Sequence, residues 1–480
     1  FHCYLKRNTL YISKYILFLI FNLYTLVKNM TKLTIIGAGS TVFTQKIVTD
    51  LLTINKFKKI EIALMDIDKK RLEKTYDVIM LVIKKINAKP FVTKHTKRKE
   101  ALLNADFVQT TFQVGGYKPS TLIDFEIPKK YGLNQTIADT IGIGGIMRGL
   151  RTIPILLDIA KDILEICPNA FWLQYVNPMC SNMIAINKVY PEIKCIGLCH
   201  SVQGTAEMLA KDLDEDINDM EYLCAGINHM SFYQKINKKS TGEDLYPKLK
   251  LFANKILNNK SVSSRTKQIE FYTNKKLHEK VRYEILRCFG YFVTESSEHF
   301  AEYVPWFIKK NRNDLIKKYQ IPIGEYIDRC EMYINIWKDL DENIPSIETI
   351  NIERSNEYAS NIIDAIVSNN SVKIYGNVVN NKLIENLPLN SCVEVPCLIN
   401  SKGIHPQTIG LLPEHLAALM RTNINVQLLV AEAAITKKKE HIFHAAMLDP
   451  LTSSNLSIDE IYKMTDEMIK AHRNFLPKYI

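Results

Sequence analysis

The chain has 480 residues, of which 46% are hydrophobic and 24% are charged, and this composition is typical of a globular protein with a large core. The net charge is +11, but the lysines are scattered and no nucleic-acid-binding motif accompanies them, so we expect no nucleic-acid partner. The ten cysteines contain no Cys-x-x-Cys pair and favour reduced thiols in a cytoplasmic protein over a disulfide framework.

Residues 1–29 differ from the rest of the chain. The apolar run 15–27 is too short to predict a membrane span, and no small-residue cleavage site follows it. Met30 lies directly before the first predicted strand. We therefore interpret residues 1–29 as a leader or a mistranslated upstream segment, and we expect no membrane partner.

A glycine-rich turn follows the first predicted strand. The apolar run 33–36 predicts a buried parallel strand, which ends at Gly37-Ala38-Gly39 before a predicted helix at 43–52. Such a turn brings backbone N–H groups and a helix N-terminus against a diphosphate. The residues that we assign to this cofactor site are Gly37, Gly39, Ser40 and Thr41.

An acidic residue completes the nucleotide-binding pattern. A second predicted strand, 61–65, ends directly before Asp66, whose carboxylate can bind both hydroxyls of an adenosine ribose. Val42 occupies the position of the third glycine of the usual pattern. Strand, turn, helix and Asp66 nevertheless occur in the expected order, and together they predict NAD as the cofactor.

Alternating strand and helix patterns continue to about residue 196 and indicate a Rossmann-like, doubly wound parallel sheet. We predict an NAD-binding domain at 30–200. The remaining elements predicted within it are strands at 91–93, 107–112 and 171–175 and a helix at 148–166.

The pattern then changes to longer helices mixed with irregular pieces. We predict that residues 201–480 form a mixed α+β, largely helical C-terminal domain for substrate, metal and oligomerisation. Within it, the polar stretch 254–276 predicts loops, whereas 414–476 has a helical period.

Two segments contain residues that bind soft metal ions. Cys199 and His200 follow a predicted strand at 194–198, and His229 follows Asn228 in a second segment. A thiolate and an imidazole can hold a divalent transition metal while leaving positions open for substrate oxygens. Taken singly, a cysteine is more often a packing residue and a histidine is more often a hydrogen-bonded polar group.

Three further segments have both a functional and a structural interpretation. Asn177 ends a predicted strand and can bind a substrate hydroxyl, but Asn-Pro also starts ordinary turns. The glycines of 142–145 precede a helix and can form either an anion-binding helix start or a flexible connection. The segment 294–306 combines acid/base and aromatic side chains, which favours the wall of a site over a solvated loop.

From Met30 onward the chain resembles glycoside hydrolase family 4, and within it the α-galactosidase (melibiase) branch. The motifs that carry the resemblance occur in order over almost the whole chain. They lie at 36–41, 63–68, 197–205, 224–230, 291–303 and 393–397.

The resemblance implies hydrolysis of unphosphorylated, melibiose-like α-galactosides with NAD and Mn²⁺. NAD⁺ removes hydride from C3 of the sugar, the C2 proton leaves, and the aglycone is eliminated from C1. A divalent metal stabilises the enediolate. Water then adds, and the bound NADH reduces C3 again.

The resemblance also assigns roles to individual residues. Cys199 and His229 correspond to the Mn²⁺ ligands, and His200 to the catalytic acid. Glu295 lies nearest to the position of the C2 base, for which Tyr303 and His299 remain open. The residues implied to contact substrate are Asn177 and Asn228.

Two departures from the phosphosugar branch of the family predict a neutral substrate. His200 replaces an aspartate beside the metal ligand, and Gln113 replaces an arginine ahead of Gly115-Gly116. A sugar phosphate requires such a cationic partner, because a buried dianion without one is costly.

Other functions remain as alternatives. A lactate/malate-type dehydrogenase shares the glycine turn and Asp66, and a related α-glucosidase or α-glucuronidase shares the metal pair. An NAD-sensing module without metal is the non-enzymatic alternative. We further expect a homo-oligomer, either a dimer or a tetramer.

Overall fold

The computed structural model describes residues 30–273, 276–342 and 346–480. These residues form two compact units, each assembled from separate stretches of chain. The described residues of unit 1 lie at 30–111, 162–172 and 346–355, and those of unit 2 lie at 112–161, 173–342 and 356–480. The segment interpreted as a leader, 1–29, lies outside the described residues, and the domain boundary at residue 200 stays a prediction.

Unit 1 contains a parallel sheet with the strand order β3-β2-β1-β4. Its strands are β1 (Lys32–Ile36), β2 (Glu61–Met65), β3 (Phe91–His95) and β4 (Phe107–Thr110). Its helices are α1 (Thr41–Leu52), α2 (Lys69–Ile86) and α3 (Arg98–Leu102), with a 3₁₀ turn at Asn55–Lys59. This order is half of a Rossmann sheet and confirms the predicted fold class.

Burial explains why these strands could be recognised from sequence. Every residue of β1 and of β2 is buried, as expected for parallel strands that are covered on both faces. At the start of the two strands, Lys32 and Glu61 form an ion pair of 2.8 Å, so the buried charges at this edge are matched.

Unit 2 contains mainly helices and an antiparallel sheet with the order β6-β9-β10-β7-β8, in which β11 pairs with β10. The chain passes between the units within β5 and α5. The strands from β5 onward are β5 (Phe171–Gln174), β6 (Cys195–Gly197), β7 (Met220–Ile227), β8 (Met230–Lys238), β9 (Val372–Val379), β10 (Cys392–Asn400) and β11 (Gly403–Pro406).

The helices after α3 are α4 (Leu122–Lys130), α5 (Gly142–Ile166), α6 (Met179–Val189), α7 (Ser201–Leu213), α8 (Tyr246–Leu257), α9 (Ser264–Thr273), α10 (Lys280–Phe289), α11 (Ser297–Tyr303), α12 (Asn313–Tyr319), α13 (Glu325–Glu342), α14 (Ala359–Ser368), α15 (Glu414–Thr436), α16 (Glu440–Leu448), α17 (Pro450–Ser453) and α18 (Ile458–Ala471). The C-terminal helical segment is thus confirmed. No helix among the described residues is long and apolar enough to cross a membrane.

The prediction that 254–276 is rich in loops is wrong for most of this stretch, because the end of α8 and all of α9 lie in it and only 258–263 between them is irregular. Leu249, Ala253 and Ile256 form the buried side of α8, while its polar side chains lie on the exposed side. The polar composition therefore reflects a helix surface rather than irregular backbone.

The glycines of 142–145 begin α5 rather than forming a flexible connection. The N–H of Gly144 donates to Oε1 of Gln135 at 3.1 Å. This helix start thus uses a protein side chain as an acceptor, which weakens its interpretation as an anion site.

Candidate active site

The glycine turn of unit 1 is closed by hydrogen bonds to the end of β2. The N–H groups of Gly37 and Ala38 donate to the carbonyl oxygen of Met65 at 2.9 and 3.0 Å, and Gly37 has a φ of +88°. The N–H of Gly39 donates to Oδ2 of Asp66 at 2.7 Å. A Cβ on Gly39 would lie 2.7 Å from the same oxygen, so a side chain does not fit there.

The turn leads directly into the N-terminus of α1. Ser40 is exposed at this point, and the hydroxyl of Thr41 lies 2.9 Å from that of Thr75 on α2. The second oxygen of Asp66 accepts the N–H of Asp68 at 2.9 Å. The five residues predicted to bind the cofactor therefore lie close together at the carboxyl ends of β1 and β2, the edge at which dinucleotides bind Rossmann sheets.

Unit 2 brings together three side chains that can ligate a metal. Cys199 follows β6, His229 lies in the turn between β7 and β8, and Glu295 lies just before α11. Sγ of Cys199 is 3.3 Å from Nε2 of His229, which is 3.5 Å from Oε2 of Glu295. The three ligand atoms all lie within 4.8 Å of one another.

These distances fit a metal site. Atoms bound 2.0–2.3 Å from one ion lie about 3–4.5 Å apart. A thiolate, an imidazole and a carboxylate together suit a divalent transition metal. His229 and Glu295 also have positive φ values, +64° and +62°, and such uncommon conformations in ordinary residues concentrate at functional sites.

Two hydroxyl groups set the orientation of the His229 ring. Nδ1 of His229 lies 3.1 Å from the hydroxyl of Tyr303 and 3.2 Å from that of Thr140. With a proton on Nδ1 that is donated to one of these oxygens, Nε2 is free to bind a metal.

The electrostatics of the cluster favour a cation among the ligand atoms. Burial alone would lower the pKa of His229, but the charges of Cys199 and Glu295 raise it to about 10. Burial would raise the pKa of Glu295, yet His299 and His229 hold it below its usual range. A positive charge at this position, whether from a proton on His229 or from a metal ion, is therefore stabilised by the neighbouring side chains.

Asn177 is linked to the metal cluster through two residues that the sequence analysis missed. Its Nδ2 donates to Oδ2 of Asp139 at 3.1 Å, and Oδ1 of Asp139 accepts the hydroxyl of Thr140 at 2.8 Å. Thr140 in turn contacts His229. The feature of the sequence that could have identified these two residues is their position as a polar pair, Asp139-Thr140, directly before the glycine-rich start of α5.

The loop before this polar pair is fixed by a buried glutamate. Glu302 on α11 accepts the N–H groups of Thr136 at 2.8 Å, Ile137 at 3.2 Å and Ala138 at 2.8 Å. Three donors on one carboxylate hold the loop against the helix that also carries Tyr303.

A cavity of about 750 Å³ opens beside Glu295. Residues from α7, α9 and α13 line it, together with His200 and Ser296. The side chain of His200 is 68% exposed, and its Nδ1 lies 3.6 Å from Oε1 of Glu357. By contrast, Asn228 is buried and is not part of the cavity lining.

The predicted site wall at 294–306 is buried as far as Val304 except for the half-buried Glu295, which supports that interpretation over a solvated loop. His299 lies in it, with Nδ1 2.6 Å from the Ser296 hydroxyl and 3.3 Å from Oε1 of Glu295. Burial lowers the pKa of His299 to about 4, against the opposing charge of Glu295.

The side chain of Gln113 is engaged within the protein. Its Nε2 donates to the hydroxyl of Thr121 at 2.6 Å and to the carbonyl oxygen of Gly116 at 3.3 Å. The nearby guanidinium of Arg148 is buried, 3.8 Å from Asp139 and 3.3 Å from the hydroxyl of Tyr326. Its charge is therefore already matched by a carboxylate.

The chain is similar to known proteins over nearly its whole length. It is 47% identical over 450 residues to an alpha-galactosidase of Bacillus subtilis (strain 168), covering 94% of this chain and 100% of the relative. It is 33% identical to an alpha-galactosidase of Rhizobium meliloti (strain 1021), covering 93% of this chain and 89% of the relative.

A solved structure shares the fold. The 6-phospho-alpha-glucosidase from gut microorganisms, in complex with NAD and Mn²⁺, superposes with a TM-score of 0.78 at 18% identity, covering 94% of this chain and all of that one. The model of the family 4 glycosyl hydrolases matches residues 32–215, and that of their C-terminal domain matches residues 224–452. The chain therefore belongs to the family 4 glycosyl hydrolases.

Proposed function

We propose that this glycosyl hydrolase acts on unphosphorylated α-galactosides and uses NAD and Mn²⁺ as cofactors. The 47% identity to an alpha-galactosidase supports galactose as the sugar that is released. The observation that carries the proposal is the cluster of Cys199, His229 and Glu295, because its distances and donor atoms suit a divalent transition metal.

The two cofactors would have different chemical roles. When bound, NAD supplies a hydride acceptor for a sugar carbon, and the metal supplies a positive charge that stabilises an adjacent sugar oxygen. The glycine turn and Asp66 would hold the dinucleotide. Cys199 and His229 would hold the metal, with the ring of His229 oriented by its hydroxyl partners.

We assign the removal of the C2 proton to Glu295. A base for this proton has to act close to the metal, because the charge that the proton leaves behind must be stabilised there. Glu295 meets this requirement with its side chain beside both ligands, in the wall of the cavity. The neighbouring histidines lower its pKa, so the side chain is in the ionised form that a base requires.

The remaining predicted residues would bind substrate or supply protons. The exposed ring of His200 faces the same cavity and can protonate the departing aglycone. The amide of Asn177, held by Asp139, can orient a sugar hydroxyl. We assign a substrate contact to Asn228 on the resemblance alone.

The alternatives receive less support. A lactate/malate-type dehydrogenase clamps a carboxylate with a loop arginine, whereas Gln113 is engaged with Thr121. A family 4 α-glucosidase or α-glucuronidase would use the same metal cluster, so substrate preference has to separate these possibilities.

One assay tests the proposal. Hydrolysis of p-nitrophenyl α-galactoside is measured with NAD and Mn²⁺ added together, added singly and omitted, beside the α-glucoside and the α-glucuronide. We expect turnover of the galactoside only when both cofactors are present. Full activity in protein shown to be free of both cofactors, or a preference for another glycoside, would contradict the proposal.

We also propose a cytoplasmic location and a homo-oligomeric state, a dimer or a tetramer. The free cysteines and the proposed use of a soluble nicotinamide cofactor support the location. Light scattering of the purified protein measures the oligomeric state, and a monomer would contradict it.

A further inference from the structure

A row of three polar residues and two glycines, paired from strand to strand, crosses the sheet of unit 2 next to the metal cluster. Gly197 on β6 pairs with Asn377 on β9, Asn377 pairs with Glu394 on β10, and Glu394 pairs with Gly226 on β7. Gly226 pairs with Ser231 on β8, which completes the row. We call these five residues the cross-strand row.

Side-chain hydrogen bonds run along the cross-strand row and centre on Glu394. Oε1 of Glu394 accepts Nδ2 of Asn377 at 3.3 Å, and the same Nδ2 lies 3.3 Å from the carbonyl oxygen of Gly197. Oε2 of Glu394 lies 2.7 Å from the hydroxyl of Ser231. The side chains of Asn377, Glu394 and Ser231 are fully buried.

The two glycines of the row make room for these contacts. A Cβ on Gly226 would lie 2.7 Å from Cα of Ser231, and a Cβ on Gly197 would lie 2.9 Å from Cβ of Asn377. Larger residues would separate the strands on either side of Glu394. Glycine is therefore required where the carboxylate reaches across the sheet.

The row ends beside each of the three residues of the metal cluster, Cys199, His229 and Glu295. Cys199 follows Gly197 by two positions, and His229 precedes Ser231 by two positions. Ser231 also exchanges hydrogen bonds with Thr294, since its N–H donates to Oγ1 of Thr294 at 3.2 Å and its carbonyl oxygen accepts the N–H of Thr294 at 2.8 Å. Glu295 is the next residue.

We propose that Glu394 is a positioning residue for the metal site, which sets the separation of Cys199, His229 and Glu295 without touching the metal. The inference rests on the metal site of the proposed function. A single buried carboxylate accepts donors from strands on both sides, so replacing one of its oxygens breaks one of the two attachments that tie these strands together.

Metal affinity is the measurement that tests this role. Mn²⁺ binding to the wild type and to Glu394→Gln is measured by electron paramagnetic resonance of free Mn²⁺, without substrate or NAD. The glutamine has the same shape but presents an amide N–H₂ to one of the two donors. We expect the affinity for Mn²⁺ to fall by about 10- to 100-fold, the usual effect of losing a group that supports metal ligands.

The geometry of the bound metal gives a second readout. Co²⁺ added to the wild-type apoprotein should show charge-transfer absorption from the Cys199 thiolate, and we expect this band to shift or weaken in Glu394→Gln. Ser231→Ala, which removes a single hydroxyl, should lower the affinity by a smaller factor and serves as the test if Glu394→Gln does not fold.

Asp449→Asn is the matched control. Asp449 is also a fully buried carboxylate in unit 2, and it accepts the N–H of Thr452 at 2.8 Å and its hydroxyl at 2.6 Å. We expect this variant to bind Mn²⁺ as the wild type does, even if its Tm falls.

The outcomes separate the inference from the proposed function. If folded Glu394→Gln binds Mn²⁺ with wild-type affinity and leaves the Co²⁺ spectrum unchanged, the inference is overturned and the proposed function is not. The same result in Ser231→Ala has this meaning if Glu394→Gln does not fold. An equal loss in Asp449→Asn would also overturn the inference, because any buried carboxylate would then suffice. A wild-type protein that binds no Mn²⁺ would contradict the proposed function and the inference together.

Discussion

Cys199 is the residue whose chemistry tests the metal site most simply. A neutral hydroxyl is a much weaker ligand for a divalent cation than an anionic thiolate, so Cys199→Ser should lower Mn²⁺ affinity and turnover by about a hundredfold or more. Metal content and kcat are measured on the same preparation. Cys288→Ser, which changes an exposed free cysteine, is the control and should keep both values. Unchanged metal content in Cys199→Ser would remove this residue from the site.

Glu295 can be tested separately as a base and as a ligand. We expect Glu295→Gln to lower kcat by about 10²- to 10⁴-fold, the contribution of general acid–base catalysis, while Mn²⁺ affinity changes little. Exchange of the C2 proton with solvent should stop in the same variant. A loss of Mn²⁺ comparable to that of Cys199→Ser would instead make Glu295 a metal ligand.

At the residue scale, the sequence could indicate the metal pair but not its support. Cys199 follows a predicted strand and His229 lies in the motif at 224–230, so both residues could be identified from the sequence. Asp139, Thr140 and Glu394 reach the cluster only through contacts between residues far apart in the chain. Glu394 lies in the family motif at 393–397, but the motif gives no indication that this residue supports the metal cluster.

At the scale of elements, α11 connects the metal cluster to the loop at 136–138. Glu302→Gln replaces a carboxylate oxygen with an N–H₂ group that faces backbone donors, so at least one buried N–H loses its acceptor. We expect the unfolding free energy to fall by about 1–3 kcal/mol. The amides of Thr136 and Ala138 should exchange faster with deuterated solvent, as measured by mass spectrometry. Unchanged exchange of these amides would show that Glu302 does not hold the loop.

The sequence predicted best those elements in which every residue is buried. Strands β1 and β2 of unit 1 are fully buried and mainly apolar, and the predicted bounds of β2 match the structure. Helices α8 and α9 were missed because their polar surfaces resemble a loop when contacts with the rest of unit 2 are unknown. The antiparallel row from β6 to β8 depends on strand pairing between distant segments, which periodicity alone does not reveal.

At the scale of the whole molecule, the charge of the substrate is a test of the assignment within the family. Gln113 is neutral, and its amide donates a hydrogen bond to Thr121. The guanidinium of Arg148 is paired with the carboxylate of Asp139, so it is not a free cation for a 6-phosphate. Each missing charged hydrogen bond costs roughly 1.5–3 kcal/mol. We expect kcat/KM for the neutral galactoside to exceed that for its 6-phosphate on the order of a hundredfold or more, with the same aglycone. Equal turnover of the phosphate would mean that another cation, such as Lys118, binds it.

The central claim is that the glycosidic bond breaks by elimination after loss of the C2 proton. Turnover of p-nitrophenyl α-galactoside in deuterated water, followed by NMR of the released galactose, tests it most directly. We predict deuterium at C2 of the product, and a primary isotope effect when the substrate is deuterated at C2. Product that keeps its original hydrogen at C2, formed without an isotope effect and at full rate, would contradict the account.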